Sequence, residues 1–361
     1  MRNIVLAGPT MDKALGLVRL GRLKVSPTNV CQLLPGECAT RQEELLSVLG
    51  SVPSDLANLL DPRLPAPVHL YVSRASGGFS SKKVSFHVLS SPLPLGAFSQ
   101  LCEGVLVPSW PLYYVLRCAK MKSLSGRLKL GMKLCGSYAH LVPGDESTDW
   151  FYREPNKKGK LEVVYHNPRI RPAMSVNEVA SFLSSVRYLR GSKSAREAVR
   201  LLTDGAASPA EAVLGLMMGL PCKEGGYGFK GIELNPKAPV PQELRSLVSA
   251  ETYHPDCYLP TIEVDLEMQS YENHSGKRAL VHDASRRNDI QTLGIEVRDV
   301  TWDCVSHLDK FDKLALQLVQ REKERGIAGA FEHGREIKHP DNRAKRRVRL
   351  NELLPPWPYE K

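Results

Sequence analysis

The spacing of apolar positions changes its period several times along the chain, and each change predicts an element. In "SVNEVASFLSSVRYLRG" at 175–191, Val179, Phe182, Leu183 and Val186 recur at helical spacing. A serine precedes them and Glu178 stands three residues on, a capping-box start for an amphipathic helix. "TRQEELLSVLG" at 40–50 has the same form, with Thr40 and Glu43 as the box and Gly50 as the stop, and "PSDLANLLDP" gives a second short helix. Residues 1–60 are therefore predicted to be helical. From 66 the period falls to two: "APVHLYVSR" and "KKVSFHVLS" alternate as half-buried strands, with Gly77-Gly78 as a turn between them. "SWPLYYVLRCAKM" at 109–121 then predicts a helix that opens near a proline.

Residues 144–174 are polar and irregular, which predicts a domain boundary near 172. Three helices follow, at 175–191, in "SAREAVRLLTDG", and in "SPAEAVLGLMMGLP" at 208–221. A β-forming stretch, "YHPDCYLPTIEVDLEMQSYENH", runs from Tyr253 to His274. Next come a helix in "HDASRRNDIQTLG" stopped by Gly294, a strand in "IEVRDVTW", and one long amphipathic helix in "CVSHLDKFDKLALQLVQREKERG". The order predicts an α/β protein: a mixed-sheet core flanked by helices over 173–330, a separate N-terminal α+β domain over 1–172, and a basic tail over 331–361.

Composition narrows the partner. Lys and Arg number 49 against 39 Asp and Glu, a net charge of +10 with a pI near 9.2. That balance favours a polyanion, and DNA is the expected partner. In "REIKHPDNRAKRRVR" seven bases face two acids, and Lys345, Arg346 and Arg347 form its densest part. Eight cysteines include no CxxC pair, which argues against a structural zinc site. "MRNIVLAGPT" lacks the apolar core of a signal peptide, and the most apolar stretch, "GVLVPSWPLYYVLRCAK", is broken by two prolines. A cytoplasmic protein with no membrane partner is expected; nothing in the sequence bears on a protein partner or homo-oligomer.

The candidate chemistry lies in 253–274. If a strand includes Glu263 and Asp265, the two carboxylates share one face, roughly 7 Å apart at Cα, and Val264 turns to the core. Asp256 lies one short strand away, close enough to meet Glu263 across a pair. Carboxylates gathered in this way repel unless a cation sits among them, and an all-oxygen donor set suits Mg²⁺ or Mn²⁺. Such an ion activates water and neutralises a phosphate under attack. The plain alternative is a solvated sheet face with its acids in water.

The same stretch, followed by "HDASRRNDIQTLGIEVRDVTW", resembles the PD-(D/E)XK nuclease superfamily, and within it the branch related to very-short-patch repair endonucleases. Pro255-Asp256, Glu263, Asp265, His274, Asp283 and Arg286-Arg287-Asn288 match that branch in order and approximate spacing, over roughly 175–310. The resemblance implies a restriction-endonuclease-like core, a catalytic group of Asp256, Glu263, Asp265, His274 and Glu211, and a metal held by Asp256, Glu263 and Glu211. Two features depart from the pattern. Asp265 stands where the superfamily's name promises a lysine, and Leu266-Glu267 stands where the branch usually has glycine after that aspartate. "PVHLYVSR" and the stretch after it are weakly similar to AbiEi-type abortive-infection antitoxins, which would link the chain to phage defence.

Several of these residues carry a second reading. Ser208-Pro209-Ala210-Glu211 is also a capping box with proline at the first helical position, so Glu211 can simply reach back to the Ser208 amide. His274 is a candidate general base or phosphate partner, or a plain surface histidine in "ENHSGKR". Asp283 can orient Arg286 or cap its helix. Arg286 and Arg287 can contact phosphates or form a solvated helix face. Two functions are expected in consequence: a metal-dependent DNA endonuclease, or a non-catalytic, antitoxin-like DNA-binding regulator on a nuclease scaffold.

Overall fold

The structure, a computed structural model, describes residues 2–34, 37–73, 81–89, 91–138, 152–155, 161–164, 170–269 and 277–354; over 152–155, 161–164 and 277–284 it describes the backbone alone. Contacts group the chain into two units, Met1–Lys122 with Ala139–Val199, and Ser123–Tyr138 with Arg200–Lys361. This differs from the single boundary expected near 172. The two helices after that point stay with the first unit, and Ser123–Tyr138 belongs with the second.

The first unit opens with β1 (Ile4–Val5), α1 (Gly8–Arg19), β2 (Ser26–Pro27), α2 (Gln42–Leu46) and α3 (Ser54–Leu60). The first 60 residues thus contribute strands as well as the expected helices. Next come β3 (Val68–Val72), β4 (Val84–Val88), β5 (Phe98–Cys102), β6 (Val105–Pro108) and α4 (Trp110–Cys118). After α5 (Leu124–Cys135), which belongs to the second unit, β7 (Tyr152–Pro155), β8 (Leu161–Val164), α6 (Val176–Ser185) and α7 (Ser192–Val199) complete the first. Its main sheet has the order β1-β6-β5-β2. The predicted strands β3 and β4 pair in parallel, Val68 with Val84 through Val72 with Val88, and so do not form a hairpin. Gly77-Gly78, read as their turn, lies outside the described residues.

Local capping explains where these helices start. The Ser175 hydroxyl accepts from the Glu178 N–H, and the Glu178 carboxylate accepts from the Ser175 N–H, as the sequence implied. Near residue 40 the box shifts by one position. Glu44, not Glu43, accepts from the Thr40 and Arg41 amides, at 2.7 and 2.9 Å.

The second unit runs α8 (Pro209–Gly219), β9 (Glu233–Leu234), β10 (Ala238–Pro239), β11 (Thr252–Tyr253), β12 (Cys257–Leu259), β13 (Val264–Gln269), α9 (Lys277–Thr292) and β14 (Glu296–Thr301). Then follow α10 (Trp302–Ser306), α11 (Leu308–Glu324), α12 (Ala330–Lys338) and α13 (Pro340–Leu353). The central sheet has the order β14-β13-β12-β9. β9, β12 and β13 pair antiparallel, and β13 and β14 pair parallel across the α9 crossover. α8 buries residues from Glu211 through Met218, the pattern of a helix enclosed by its domain. The predicted long helix is two. Cys304 N–H donates to the Thr301 hydroxyl to start α10, and His307 in extended conformation separates it from α11.

Residues 331–354 are not a tail. Helical period puts Arg346, Leu350 and Leu353 on one buried face of α13. Arg346 is fully buried: its Nε donates to Asp312 Oδ1 at 3.0 Å, its guanidinium lies 4.7 Å from the Tyr227 ring centre, and it donates to the carbonyls of Gly226 and Ile337. Arg343 takes the other oxygen of Asp312 at 2.8 Å. The expectation that Arg346 contacts nucleic acid is therefore corrected, since the basic run was read linearly and the helix turns this residue inward. Lys345 and Arg347 stay exposed. α13 also approaches the loop that joins α8 to β9. At Gly225, with φ +86°, an added Cβ would lie 2.8 Å from the Lys345 carbonyl oxygen.

α12 is fixed by a half-buried histidine. His333 Nδ1 lies 2.7 Å from Glu322 Oε2, and its Nε2 lies 2.6 Å from the Tyr227 carbonyl oxygen. Both partners only accept, so both ring nitrogens carry protons. Burial lowers the His333 pKa, but these two hydrogen bonds prevail and raise it above the ordinary value.

Two predictions follow from α12 and α13. Arg346→Ala takes one of two guanidinium partners from Asp312 and strips the buried Gly226 and Ile337 carbonyls of their donor, and should cost about 2–4 kcal/mol in urea unfolding. Lys345→Ala and Arg347→Ala should stay within about 0.5 kcal/mol of wild type in the same measurement. His333 has a folded pKa above its unfolded value of about 6.5, so its contribution is whole below that pH and is lost as pH rises through the folded pKa. The stability advantage of wild type over His333→Gln, measured by denaturant titration across pH, should be largest on the acid side and shrink toward alkaline pH.

Candidate functional site: a buried acidic cluster

The register of three strands assembles the cluster. Tyr258 pairs with Asp265 and Leu259 with Val264, so the same register, two residues further along each strand, sets Asp256 level with Glu267. The Asp256 carboxylate confirms this alignment: its Oδ2 accepts from the Met268 N–H at 2.8 Å. On the other side Cys257 pairs with Leu234, which sets Asn235 level with Asp256, and the Asn235 N–H donates to the Asp256 carbonyl at 3.3 Å. Along β13, Val264 and Leu266 are fully buried on one face, while Asp265, Glu267 and Gln269 share the other.

Glu211 reaches the group from the first turn of α8. Its Oε2 accepts from the Ala207 N–H at 2.8 Å and from the Asn235 side-chain amide, while its own N–H donates to the Ser208 hydroxyl at 3.2 Å. The capping-box alternative is thus modified, since the carboxylate meets the Ala207 amide and not that of Ser208. Glu211 is buried and close enough to act electrostatically on both Asp256 and Cys257.

α9 covers this face through Ile290, which is buried with Tyr253 and Ile295. One helical turn before Ile290, Arg286 reaches over the acids. Its Nη1 meets Glu267 Oε2 at 2.6 Å, and its Nη2 donates to the His254 carbonyl at 2.7 Å. One guanidinium thus faces Glu211, Asp256, Asp265 and Glu267, a set of acids whose charge it cannot balance.

The electrostatics record that imbalance. Burial pushes the Asp256 carboxyl up, and the negative charges of Glu267 and Glu211 push it further. Asp265 is driven up in the same way, first by burial and then by Glu267 and Asp256, and Arg286 offsets only part of this. Asp265 is 0% exposed, and among the described residues no N–H reaches either of its oxygens, which leaves the neighbouring Glu267 carboxyl as its partner; Glu267 Oε1 is likewise buried without a described donor. Unsatisfied buried carboxylate oxygens of this kind call for a shared proton or a cation. Among the described residues, no three acidic, histidine or cysteine side chains close round one point as they stand.

The structure separates the residues singled out in the sequence. Asp256, Asp265, Glu211 and Arg286 come together. Glu263 does not join them: it precedes β13 with φ +52°, and its 45% exposed side chain is ion-paired with Arg325 at the end of α11. The chain is still reversing at Glu263, so the rule that i and i+2 share a face first applies at Asp265, and the adjacent acids are Asp265 and Glu267. Glu267 was not singled out, although the alternation of Val264, Leu266 and Met268 with Asp265, Glu267 and Gln269 carried the signal. Arg287 is ion-paired with Asp299 at 2.6 Å, and Gln269 donates to the same oxygen at 2.8 Å. His274 and the Asp283 side chain lie outside the described residues.

Comparisons of the chain with family models, with curated proteins and with solved structures found no match.

The cluster predicts a stability anomaly. For an acid with a raised folded pKa, the destabilising contribution is absent below the unfolded pKa of about 3.9 and grows as pH rises toward the folded value. Asp265→Asn removes one charge and supplies a donor to Glu267. It should stabilise the metal-free protein by about 1–3 kcal/mol at pH 7, with the gain fading toward pH 4. Urea unfolding in chelator at both pH values is the measurement, and a variant less stable than wild type at pH 7 contradicts the assignment.

Proposed function

We propose that the second unit is a divalent-metal-dependent endonuclease hydrolysing phosphodiester bonds in DNA, of the PD-(D/E)XK type. The observation that carries this reading is Asp265, fully buried with no N–H donor among the described residues and adjacent to Glu267, which lies level with Asp256. A carboxylate so placed needs a shared proton or a cation, and a cation site supplies the second. The succession of α8, three antiparallel strands, α9 and a parallel β14 supports the restriction-endonuclease-like core that the resemblance implies. In this register the acid that follows Pro255-Asp256 is Glu267, four residues beyond Glu263.

The donor set is all oxygen and fits Mg²⁺ or Mn²⁺. Asp256 and Glu267 are the residues to hold the ion, with Asp265 and Glu211 supplying charge beside them. Such an ion, when bound, lowers the pKa of water and neutralises charge on a phosphate. The chain's own groups orient that site. The Met268 amide fixes one oxygen of Asp256, Asn235 and Ala207 fix Glu211, and Arg286 fixes Glu267. Lys345 and Arg347, exposed on α13, and the net charge of +10 favour backbone phosphates as the partner surface. The first unit is assigned to substrate selection or control of access.

One feature favours the non-catalytic, antitoxin-like regulator instead. Gln269 stands two residues after Glu267, where the superfamily's name has a lysine, and its amide is engaged with Asp299. A cleavage experiment separates the two readings. With Mg²⁺ or Mn²⁺, wild type should cut a labelled duplex. Asp256→Asn and Glu267→Gln should lose about a hundredfold or more in rate, while gel-shift affinity stays within tenfold, about 1.4 kcal/mol. Glu263→Gln should retain both. Wild type that cuts no duplex, single-stranded or mismatched DNA leaves the binding-only reading in possession.

A further inference from the structure

Arg286 occupies a position that is hard to reconcile with a single role. Among the described residues it is the cation that faces the acidic cluster, with Nη1 on Glu267 Oε2 at 2.6 Å and Nη2 on the His254 carbonyl oxygen at 2.7 Å. Its positive charge also acts on Asp256 and Asp265. Yet its side chain is 34% exposed, against 12% for Glu267, so the guanidinium closes the cluster from the solvent side. A divalent cation entering among these acids meets a resident positive charge a few ångströms away, and like charges at that range repel strongly in a poorly solvated site. The Glu267 oxygen that Arg286 holds is also lost to the ion for as long as the pair persists.

The guanidinium has an alternative partner of the chemistry proposed for this site. Phosphate offers the same forked acceptor geometry as carboxylate, and Arg pairs with both in two-pronged fashion. We propose that Arg286 is an exchangeable counter-ion that couples metal and phosphate binding. In the metal-free protein it neutralises Glu267 and keeps the site closed to cations; when a backbone phosphate arrives, it turns to the phosphate and yields Glu267 to the ion. The inference rests on the proposed metal site and adds a rule for its loading: the ion and the nucleic acid each raise the other's affinity, and Arg286 carries that linkage.

The test is calorimetric titration of Mn²⁺ into wild type, R286Q and R286K, with and without a cleavage-resistant phosphorothioate duplex. Wild type should bind Mn²⁺ at least fivefold more tightly when the duplex is present. R286Q should bind Mn²⁺ alone at least tenfold more tightly than wild type, and the duplex should then change its affinity less than twofold. R286K, which keeps the charge, should resemble wild type in the absence of DNA. Equal or weaker Mn²⁺ binding by R286Q overturns the inference, as does undiminished coupling in that variant. If R286Q does not fold, side-chain ¹⁵N NMR of Arg286 in wild type replaces it. Mg²⁺ with duplex should move the guanidinium signals away from their metal-free positions, and unchanged signals overturn the inference. The failures are distinguishable: a wild type that binds Mn²⁺ without coupling sinks only the role of Arg286, whereas one that binds no Mn²⁺ under any condition removes the metal site as well.

Discussion

Gathering carboxylates where water cannot screen them is the constraint on which the second unit turns. Glu211, Asp256, Asp265 and Glu267 come from a helix and two strands, and each would move apart if its backbone allowed. The backbone does not allow it. Hydrogen-bond register fixes Asp256 against Glu267, the Met268 amide ties one carboxylate oxygen in place, and α8 and α9 bring Glu211 and Arg286 to the same group. The apolar packing of Ile290, Tyr253 and Ile295 therefore has an electrostatic task, since it holds Arg286 over charges that α9 would otherwise expose to solvent.

The elements were more legible than the site. Period and capping located α6, α8, β3, β4 and β14 closely, because each depends on side chains within a few residues of one another. β13 was also visible, but its first residue was not. Whether the strand includes Glu263 is decided by how the chain turns after Leu259, and one residue of difference in that turn reassigns which acids share a face. A backbone in the left-handed region at a glutamate is not something local sequence announces. Glu211 could be read two ways because a capping role and a place beside Asp256 use the same carboxylate; the structure shifts the cap to the Ala207 amide and sets the carboxylate near Asp256. Arg346 failed for a different reason. A run of bases looks solvated until an acid distant in sequence, here Asp312, turns one of them inward.

The domain boundary was hidden for a similar reason. α5 belongs by sequence to the first part of the chain and by contacts to the second. It meets α13 through the Ser125 hydroxyl, which takes part in hydrogen bonds with Glu352 and Arg349, and an added Cβ at Gly131 would collide with the Leu202 side chain. A fragment cut near residue 172 would lack this helix and expose the apolar surface it covers.

α13 is the last element the ribosome would make of all those described, and it grips the loop between α8 and β9 through Arg346, Arg349 and the close approach at Gly225. That loop sets the distance between Glu211 and Asn235 and hence one wall of the acidic cluster. During synthesis, then, the carboxylates exist for many residues before the piece that completes their frame. A site built in this way gains a delay, because its frame is finished only when α13 has emerged. Until then the carboxylates are held by the sheet, α8 and α9 alone, so the charge they gather is borne by an unfinished frame.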